Sequence, residues 1–281
     1  MSTFAVISMG EMGAAVAGRL VSRGARVLTD LEGRSQTSAE RARDAGVVVA
    51  TPQQIVEEAE IILSIIPPAA APALAKVYLP FLKDAATPPL FLDCNAIAPT
   101  TTREMDVPFL NNGLPFGDGS IIGGPPKGDG AGPRLYMSGP VADAAATLKA
   151  HGIDTRLMSD TIGDASAIKM SYAGITKGFQ ALASAMANGA GRNGVLEPLI
   201  EELNFSQDAI YGWAARQLPA MPGKAYRWDG EMREIARFLS PEKGSSQMLD
   251  GAAELYARIA NAKESGDDSE LLERIARFAD R

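Results

Sequence analysis

Two rhythms alternate along the first half of the chain. Thr3–Ser8 (TFAVIS) is a short, β-branched apolar run of strand character. It ends in a glycine turn, after which Met12, Val16 and Leu20 recur at helical spacing until Gly24 stops the stripe. Arg26–Leu31 predicts a second strand, Ser38–Ala45 a short helix closed by Gly46, and Val47–Ala50 a third strand. Thr51-Pro52-Gln53-Gln54 has the marks of a helix start: a capping threonine, proline at the first helical position, and a glutamine placed for a capping box. Glu60–Ile66 (EIILSII) is continuously apolar, as a strand covered on both faces of a parallel sheet must be. Leu90–Asn95, Gly117–Ile122, Leu135–Ser138 and Asp154–Leu157 are later strand candidates. Strands alternating with helices imply βαβ units, a parallel sheet and right-handed crossovers.

Near Ser159 the pattern changes. From Ala165 onward strand signals vanish, and stretches rich in Ala, Leu, Met, Glu and Arg read as helices. Breaks fall at Gly191-Arg192-Asn193-Gly194 and at Pro219–Gly223, and the polar stretch Lys263–Ser269 reads as a solvated turn before a last helix. The expected division is therefore 1–160, an α/β domain, and 161–281, an all-helical domain. A length of 281 residues fits two domains at ~150 residues each.

Composition narrows the chemistry. A net charge of −7 argues against a nucleic-acid platform, although a local basic pocket would still suit a small anion. One cysteine, Cys94, excludes a disulfide framework and a Cys-cluster metal site. One histidine, His151, argues against a His-rich zinc site and a Ser-His-Asp hydrolase. No metal is expected. The sequence has no run of ~18 apolar residues, and the chain enters its first strand without a basic leader, so a cytoplasmic protein away from membranes is expected. Catalysis would then rest on Lys, Asp, Glu, Tyr or a cofactor.

Ser8-Met9-Gly10-Glu11-Met12-Gly13 lies between the first strand and the first helix, where a dinucleotide fingerprint G-x-G-x-x-G belongs. Gly10 would let the backbone approach a pyrophosphate, Gly13 would let helix and strand pack closely, and the helix N-terminus supplies an anion site. The first glycine of the fingerprint is Ser8. These features predict a Rossmann-type, doubly wound sheet, with Ser8, Met9, Gly10, Glu11 and Met12 on the cofactor. At the end of the second strand, Asp30 suits the 2′-hydroxyl of NAD, whereas Gly33-Arg34-Ser35 suits the 2′-phosphate of NADP. NADP is favoured and NAD kept open, with Arg34 and Ser35 as phosphate contacts. Ile66, Pro67 and Asn95, near the ends of later strands, complete the expected cofactor site in this half.

Four segments, in order, resemble the β-hydroxyacid dehydrogenase family of 3-hydroxyisobutyrate and 6-phosphogluconate dehydrogenases. They are the Ser8–Gly13 turn with its Met12-Gly13, Asp93-Cys94-Asn95-Ala96 with Pro99, Asp118–Gly124, and Gly163 followed six residues later by Lys169. Leu31–Ser35, Lys169–Gly174 and Tyr226-Arg227-Trp228 are similar to a phosphogluconate dehydrogenase-like branch of that family. The resemblance implies an NAD(P)-dependent oxidoreductase acting on a hydroxy acid or its keto form. It makes Lys169 the catalytic acid/base and Arg227 a cofactor-facing cation. It further implies a homodimer formed through the helical half, in keeping with the apolar, alanine-rich Thr176–Gly191 segment.

Apolar neighbours such as Ile168 and Met170 would lower the Lys169 pKa toward neutrality. Asn95, Gly123, Gly124 and Tyr172 are the expected substrate contacts. The glycines offer unobstructed backbone N–H groups, and Tyr172 shares the Lys169 face at i+3. Lys177 is the rival lysine and is expected outside the site. Asp93 and Asp118 read as structural caps, and His151 as a partner of a helix C-terminus. Ala173, Ile122 and Ala96 replace the family's asparagine, serine and threonine, which puts a simple β-hydroxy acid substrate in question. An imine or ketone reductase of the same architecture is the alternative within enzymes, and Lys169 argues against it. A non-catalytic NADPH-binding module is the alternative outside them.

Overall fold

The computed structural model describes residues 1–126, 130 and 132–280. The chain divides into two compact units, Met1–Lys169 and Met170 onward. In the first, β1 (Thr3–Ile7), α1 (Glu11–Ser22), β2 (Arg26–Thr29), α2 (Gln36–Asp44), β3 (Val48–Val49), α3 (Pro52–Glu58) and β4 (Ile61–Ser64) alternate. They are followed by α4 (Ala71–Asp84), β5 (Leu90–Asp93), α5 (Pro99–Leu110), β6 (Phe116–Ile122), β7 (Arg134–Ser138), α6 (Ala142–Ala150) and β8 (Asp154–Ser159). Among the described residues the strands form one eight-stranded sheet in the order β3-β2-β1-β4-β5-β6-β7-β8.

Period-two alternation builds two cores from one sheet. Phe4, Val6, Val27, Leu63 and Leu92 face a cluster with α1 and α6 residues, including Val16, Leu20 and Leu148. Ala5, Ile7, Leu28, Ile62 and Phe91 face the other, with Ile55, Tyr78, Leu82, Met105 and Phe109 from α3, α4 and α5. Helices on both faces make the sheet doubly wound, as the sequence implied. The strand order reverses between β1 and β4, which opens a crevice beyond their carboxyl ends.

One expectation needs correction: the sheet is not parallel throughout. β6 and β7 pair antiparallel, Asp118 opposite Ser138 and Ile122 opposite Arg134, while every other pairing is parallel. The connection between them is only residues 123–133, and a parallel return needs a dozen or more residues, usually with a helix.

After β8 the described elements are helical. α7 (Asp164–Arg192) begins in the first unit and continues into the second, followed by α8 (Leu196–Ser206), α9 (Asp208–Gln217), α10 (Ala225–Phe238), α11 (Lys243–Ser265) and α12 (Ser269–Ala279). Aromatic pairs tie these helices together. Trp228 of α10 meets Tyr256 of α11 edge-on at 5.2 Å, and Tyr211 of α9 meets Phe278 of α12 at 5.2 Å. The Tyr211 hydroxyl also donates to the Phe278 carbonyl at 2.9 Å.

Candidate active site

The glycine turn has the geometry of an anion cradle. Gly10 is the N-cap of α1 and has no side chain to occupy the helix's first N–H groups. A Cβ on Gly10 would meet nothing within 4 Å, so space is open above the turn. A Cβ on Gly13 would lie 2.0 Å from the Ser8 carbonyl oxygen, so helix and strand approach each other as only glycine allows. Ser8 takes the place of the fingerprint's first glycine and still adopts that glycine's backbone, with φ of 84°. Among the described residues it is the one non-glycine at positive φ, a conformation costing an L-residue about 1–2 kcal/mol. Met9 is fully buried in the α1-side core, so its contribution toward a ligand is limited to its backbone.

At the end of β2, the Asp30 carboxylate accepts from the Glu32 amide at 2.9 Å. Gly33 turns the chain at φ of 67°, Arg34 is exposed, and Ser35 caps α2 by accepting from the Ser38 amide. The Ser35 oxygen that would face a phosphate therefore already serves the helix. Sequence reasoning missed Tyr78 of α4. Its hydroxyl is buried without a hydrogen-bond partner among the described residues, and burial together with Asp30 raises its pKa while Arg34 opposes the rise.

The ends of β4 and β5 are held by Asn95. Its Oδ1 accepts from the Ile66 amide at 2.7 Å, and its Nδ2 donates to Ser64 Oγ at 2.8 Å and to Asp93 Oδ1 at 2.5 Å. Both amide hydrogens thus go to the protein, and the side chain, 3% exposed, fixes the backbone that leads to Ile66 and Pro67. Asp93 is a support for this strut, as the structural reading of it implied. Its carboxyl is pushed up to about 7, chiefly by burial and further by Asp118, against the bonds from Asn95. Cys94 is a small buried residue whose Sγ points to the Leu92 carbonyl.

β6 carries the remaining part of the site in this unit. The half-buried Lys169 donates from Nζ to the Ile121 carbonyl at 2.7 Å. Gly123 follows at φ of 126°, where a Cβ would press within 3.1 Å of the Pro133 backbone, and a Cβ on Gly124 would meet nothing within 4 Å. Asp118 is fully buried and accepts from the Gly163 amide (3.0 Å), the Ser166 amide (3.0 Å), Ser138 Oγ (2.9 Å) and Ser166 Oγ (2.7 Å). Burial raises its pKa and these four donors oppose that rise. The sequence suggested a cap at Asp118; the helix it caps, α7, starts 46 residues downstream and is visible only in the fold.

The other expected site residues belong to the second unit. Tyr172 is exposed on α7, Arg227 is exposed in α10, and Ala173 is buried. Lys177 forms an ion pair with Glu231 and sits 5.1 Å from the centre of the Trp228 ring, so its ammonium is held within the helical core. His151 closes α6, its Nδ1 at 2.9 Å from the Thr147 carbonyl, which agrees with its expected place at a helix C-terminus. Among the described residues there is no cluster of metal-ligating side chains, and no helix is long and apolar enough to cross a membrane.

Comparison with known proteins agrees with this geometry. Residues 3–151 match the NAD-binding domain of 6-phosphogluconate dehydrogenase, and residues 190–259 match a domain of unknown function. A solved conserved protein, described as structurally similar to 3-hydroxyacid dehydrogenases, is 28% identical; the match covers 94% of this chain and 99% of that one, with a TM-score of 0.69. The Mycobacterium tuberculosis 3-hydroxyisobutyrate dehydrogenase, solved with L-serine, shares the fold at 18% identity, 99% of each chain and a TM-score of 0.72. An imine reductase from Myxococcus stipitatus, solved with NADP+, does so at 18% identity, 98% and 100% coverage, and a TM-score of 0.56. The cradle at Ser8–Gly13, the doubly wound sheet and the match over more than half its length place the chain in the β-hydroxyacid dehydrogenase family of NAD(P)-dependent oxidoreductases.

Proposed function

We propose that this protein transfers a hydride between NADP(H) and a hydroxy acid or its keto form, with Lys169 taking and returning the hydroxyl proton. The observation that carries this reading is the contact between Lys169 Nζ and the Ile121 carbonyl, two residues before Gly123 and Gly124. A carbonyl only accepts, so it holds an N–H of the lysine whether the amine is neutral or charged. In the neutral form the lone pair is left for a substrate proton while the contact to Ile121 persists. Proton transfer at Nζ then requires no rearrangement of the strand or the helix. The amides of Gly123 and Gly124 are unshielded donors for a carboxylate. When bound, the nicotinamide would supply or accept the hydride. Ser8–Met12, Ile66, Pro67 and Arg34 are the residues we assign to the cofactor, with Asn95 acting through Ile66. Tyr172 and Arg227 keep the substrate and cofactor roles that the family resemblance implies for them.

Lys169→Ala should retain NADPH binding and lose turnover by about 10²–10⁴-fold on a panel of hydroxy acids followed by nicotinamide absorbance. Lys169→Arg should fail as well, because a guanidinium stays protonated. Lys177→Ala should keep its turnover per folded molecule. It should melt roughly 6–12 °C lower, because removing one partner of a buried ion pair costs about 3 kcal/mol. Near-normal turnover in Lys169→Ala would exclude the mechanism.

We also propose a homodimer formed through the helical unit. Tyr172, Ile175, Leu182 and Met186 recur along α7 and are all exposed, forming an apolar stripe.

A further inference from the structure

We infer that Asp118 is the positioning residue for Lys169: it anchors the first turn of α7 to β6 and so sets where the lysine amine stands. The inference rests on the reading of Lys169 as proton carrier and adds what holds that carrier in place.

α7 begins without a local cap. The residue before it is Gly163, which has no side chain, so apart from the Asp164 amide, which reaches the Thr161 carbonyl at 3.4 Å, the N–H groups of its first turn need partners from elsewhere. One carboxylate oxygen of Asp118 accepts from both the Gly163 and the Ser166 amides, and Ser138 Oγ, itself donating to Asp118, accepts from the Ala165 amide at 3.0 Å. The second carboxylate oxygen accepts from Ser166 Oγ, which in turn lies 2.8 Å from Thr102 Oγ1. Asp118, Ser138, Ser166 and Thr102 are all fully buried, so water cannot replace these partners. A negative charge at the N-terminus of a 29-residue helix is also favoured by the helix dipole.

The same strand holds the lysine. Asp118 and Ile121 are three residues apart on β6, about 10 Å of strand, while Ser166 and Lys169 are three residues apart on α7, about 4.5 Å of helix. The long lysine side chain spans the difference and reaches the Ile121 carbonyl. β6 therefore grips α7 at two points, and the first fixes the geometry of the second. Asp118 touches neither Nζ nor a reacting atom in this arrangement, so its role is to position.

The test is acetylation of Lys169 by N-acetoxysuccinimide, followed by peptide mass spectrometry, with the exposed Lys76, Lys83 and Lys149 of the same unit as references. In Asp118→Ala, Lys169 should be acetylated faster than in the wild type while the references keep their rates. The increase should fall within the two- to thirtyfold range given by loss of a helix N-cap. Asp118→Asn keeps an acceptor oxygen for the Gly163 and Ser166 amides and should restore a rate near that of the wild type. Ser138→Ala, which removes only the acceptor for Ala165 and one donor, should fall between them and serves if Asp118→Ala does not fold. Equal Lys169 rates in wild type and variants would overturn the inference, as would a parallel rise in all the reference lysines. The label needs no substrate, so it reads positioning by itself. Failure of the proton-carrier reading would appear separately, as normal turnover in Lys169→Ala.

Discussion

Replacing Gly13 with alanine separates what the glycine turn does for the fold from what it does for a ligand. Gly13 lies in the first turn of α1, where alanine is ordinarily the better helix former by up to about 1 kcal/mol. The added Cβ would stand 2.0 Å from the Ser8 carbonyl oxygen, and contacts below 3.0 Å are essentially never found, so turn and helix must part by about 1 Å. The obstacle is backbone, and it belongs to a residue already held at positive φ, so no side-chain rotation relieves it. A backbone clash this short belongs in the upper part of the overpacking range, about 2–3 kcal/mol, which exceeds the gain in propensity. Net destabilisation of about 1–2 kcal/mol should lower Tm by roughly 2–8 °C. If the turn cradles a pyrophosphate, the shift also removes at least one charge-assisted amide bond, worth about 1.5–3 kcal/mol, or tenfold to roughly a hundredfold in affinity. Gly10→Ala is the counterpart. Its backbone (φ −67°, ψ −179°) suits any residue and its Cβ meets nothing within 4 Å, so Tm should stay put while NADPH affinity falls. Thermal melts and NADPH fluorescence titrations of the two variants provide the assay. Wild-type melting and affinity in Gly13→Ala would refute the packing reasoning; undiminished affinity in Gly10→Ala would refute the cradle.

Three further outcomes are expected. Arg34→Ala should weaken NADPH binding and leave NADH binding nearly unchanged; equal losses for both would show that Arg34 does not read the 2′-phosphate. Asp93, raised by burial to about 7 in the folded chain from an ordinary value of 3.8, favours folding in its neutral form, so that stability is complete below about pH 4 and is lost as pH rises through 7. The stability of the wild type relative to Asp93→Asn should therefore decline between pH 4 and 7 and level off above, and a rise in urea-unfolding free energy over that window would contradict the burial argument. Light scattering should give a dimer that Ile175→Glu with Leu182→Glu converts to a monomer, and a wild-type monomer at micromolar concentration would remove the α7 interface.

Much of the first unit was legible because its signals are local. A buried parallel strand must be apolar throughout, as Ile61–Leu63 are, and an amphipathic helix must repeat its apolar face, as Val16 and Leu20 do on α1. The Ser8–Gly13 turn was readable for the same reason, since its residues meet one another within six positions. Lys169 was singled out by the family resemblance, in which Gly163 and Lys169 form the fourth segment, and not by any local pattern of the chain. What the sequence concealed was anything resting on strands and helices far apart in the chain. The antiparallel pairing of β6 with β7 goes with the shortness of one connection, and no periodicity records it. Asn95 looked like a ligand contact because of its strand-end position; that its amide is bound to Ser64, Asp93 and Ile66 depends on β4 lying beside β5. Asp118 as the cap of α7 depends likewise on β6 meeting a helix that starts 46 residues later. Ser8 at positive φ runs against its own backbone preference, at the point where Gly13 lets helix and strand approach. Periodicity fixes which face of an element is buried. Which polar groups meet inside that buried volume, and so which carboxylate or amide must be paired there, is set only when the sheet order brings distant strands and helices together.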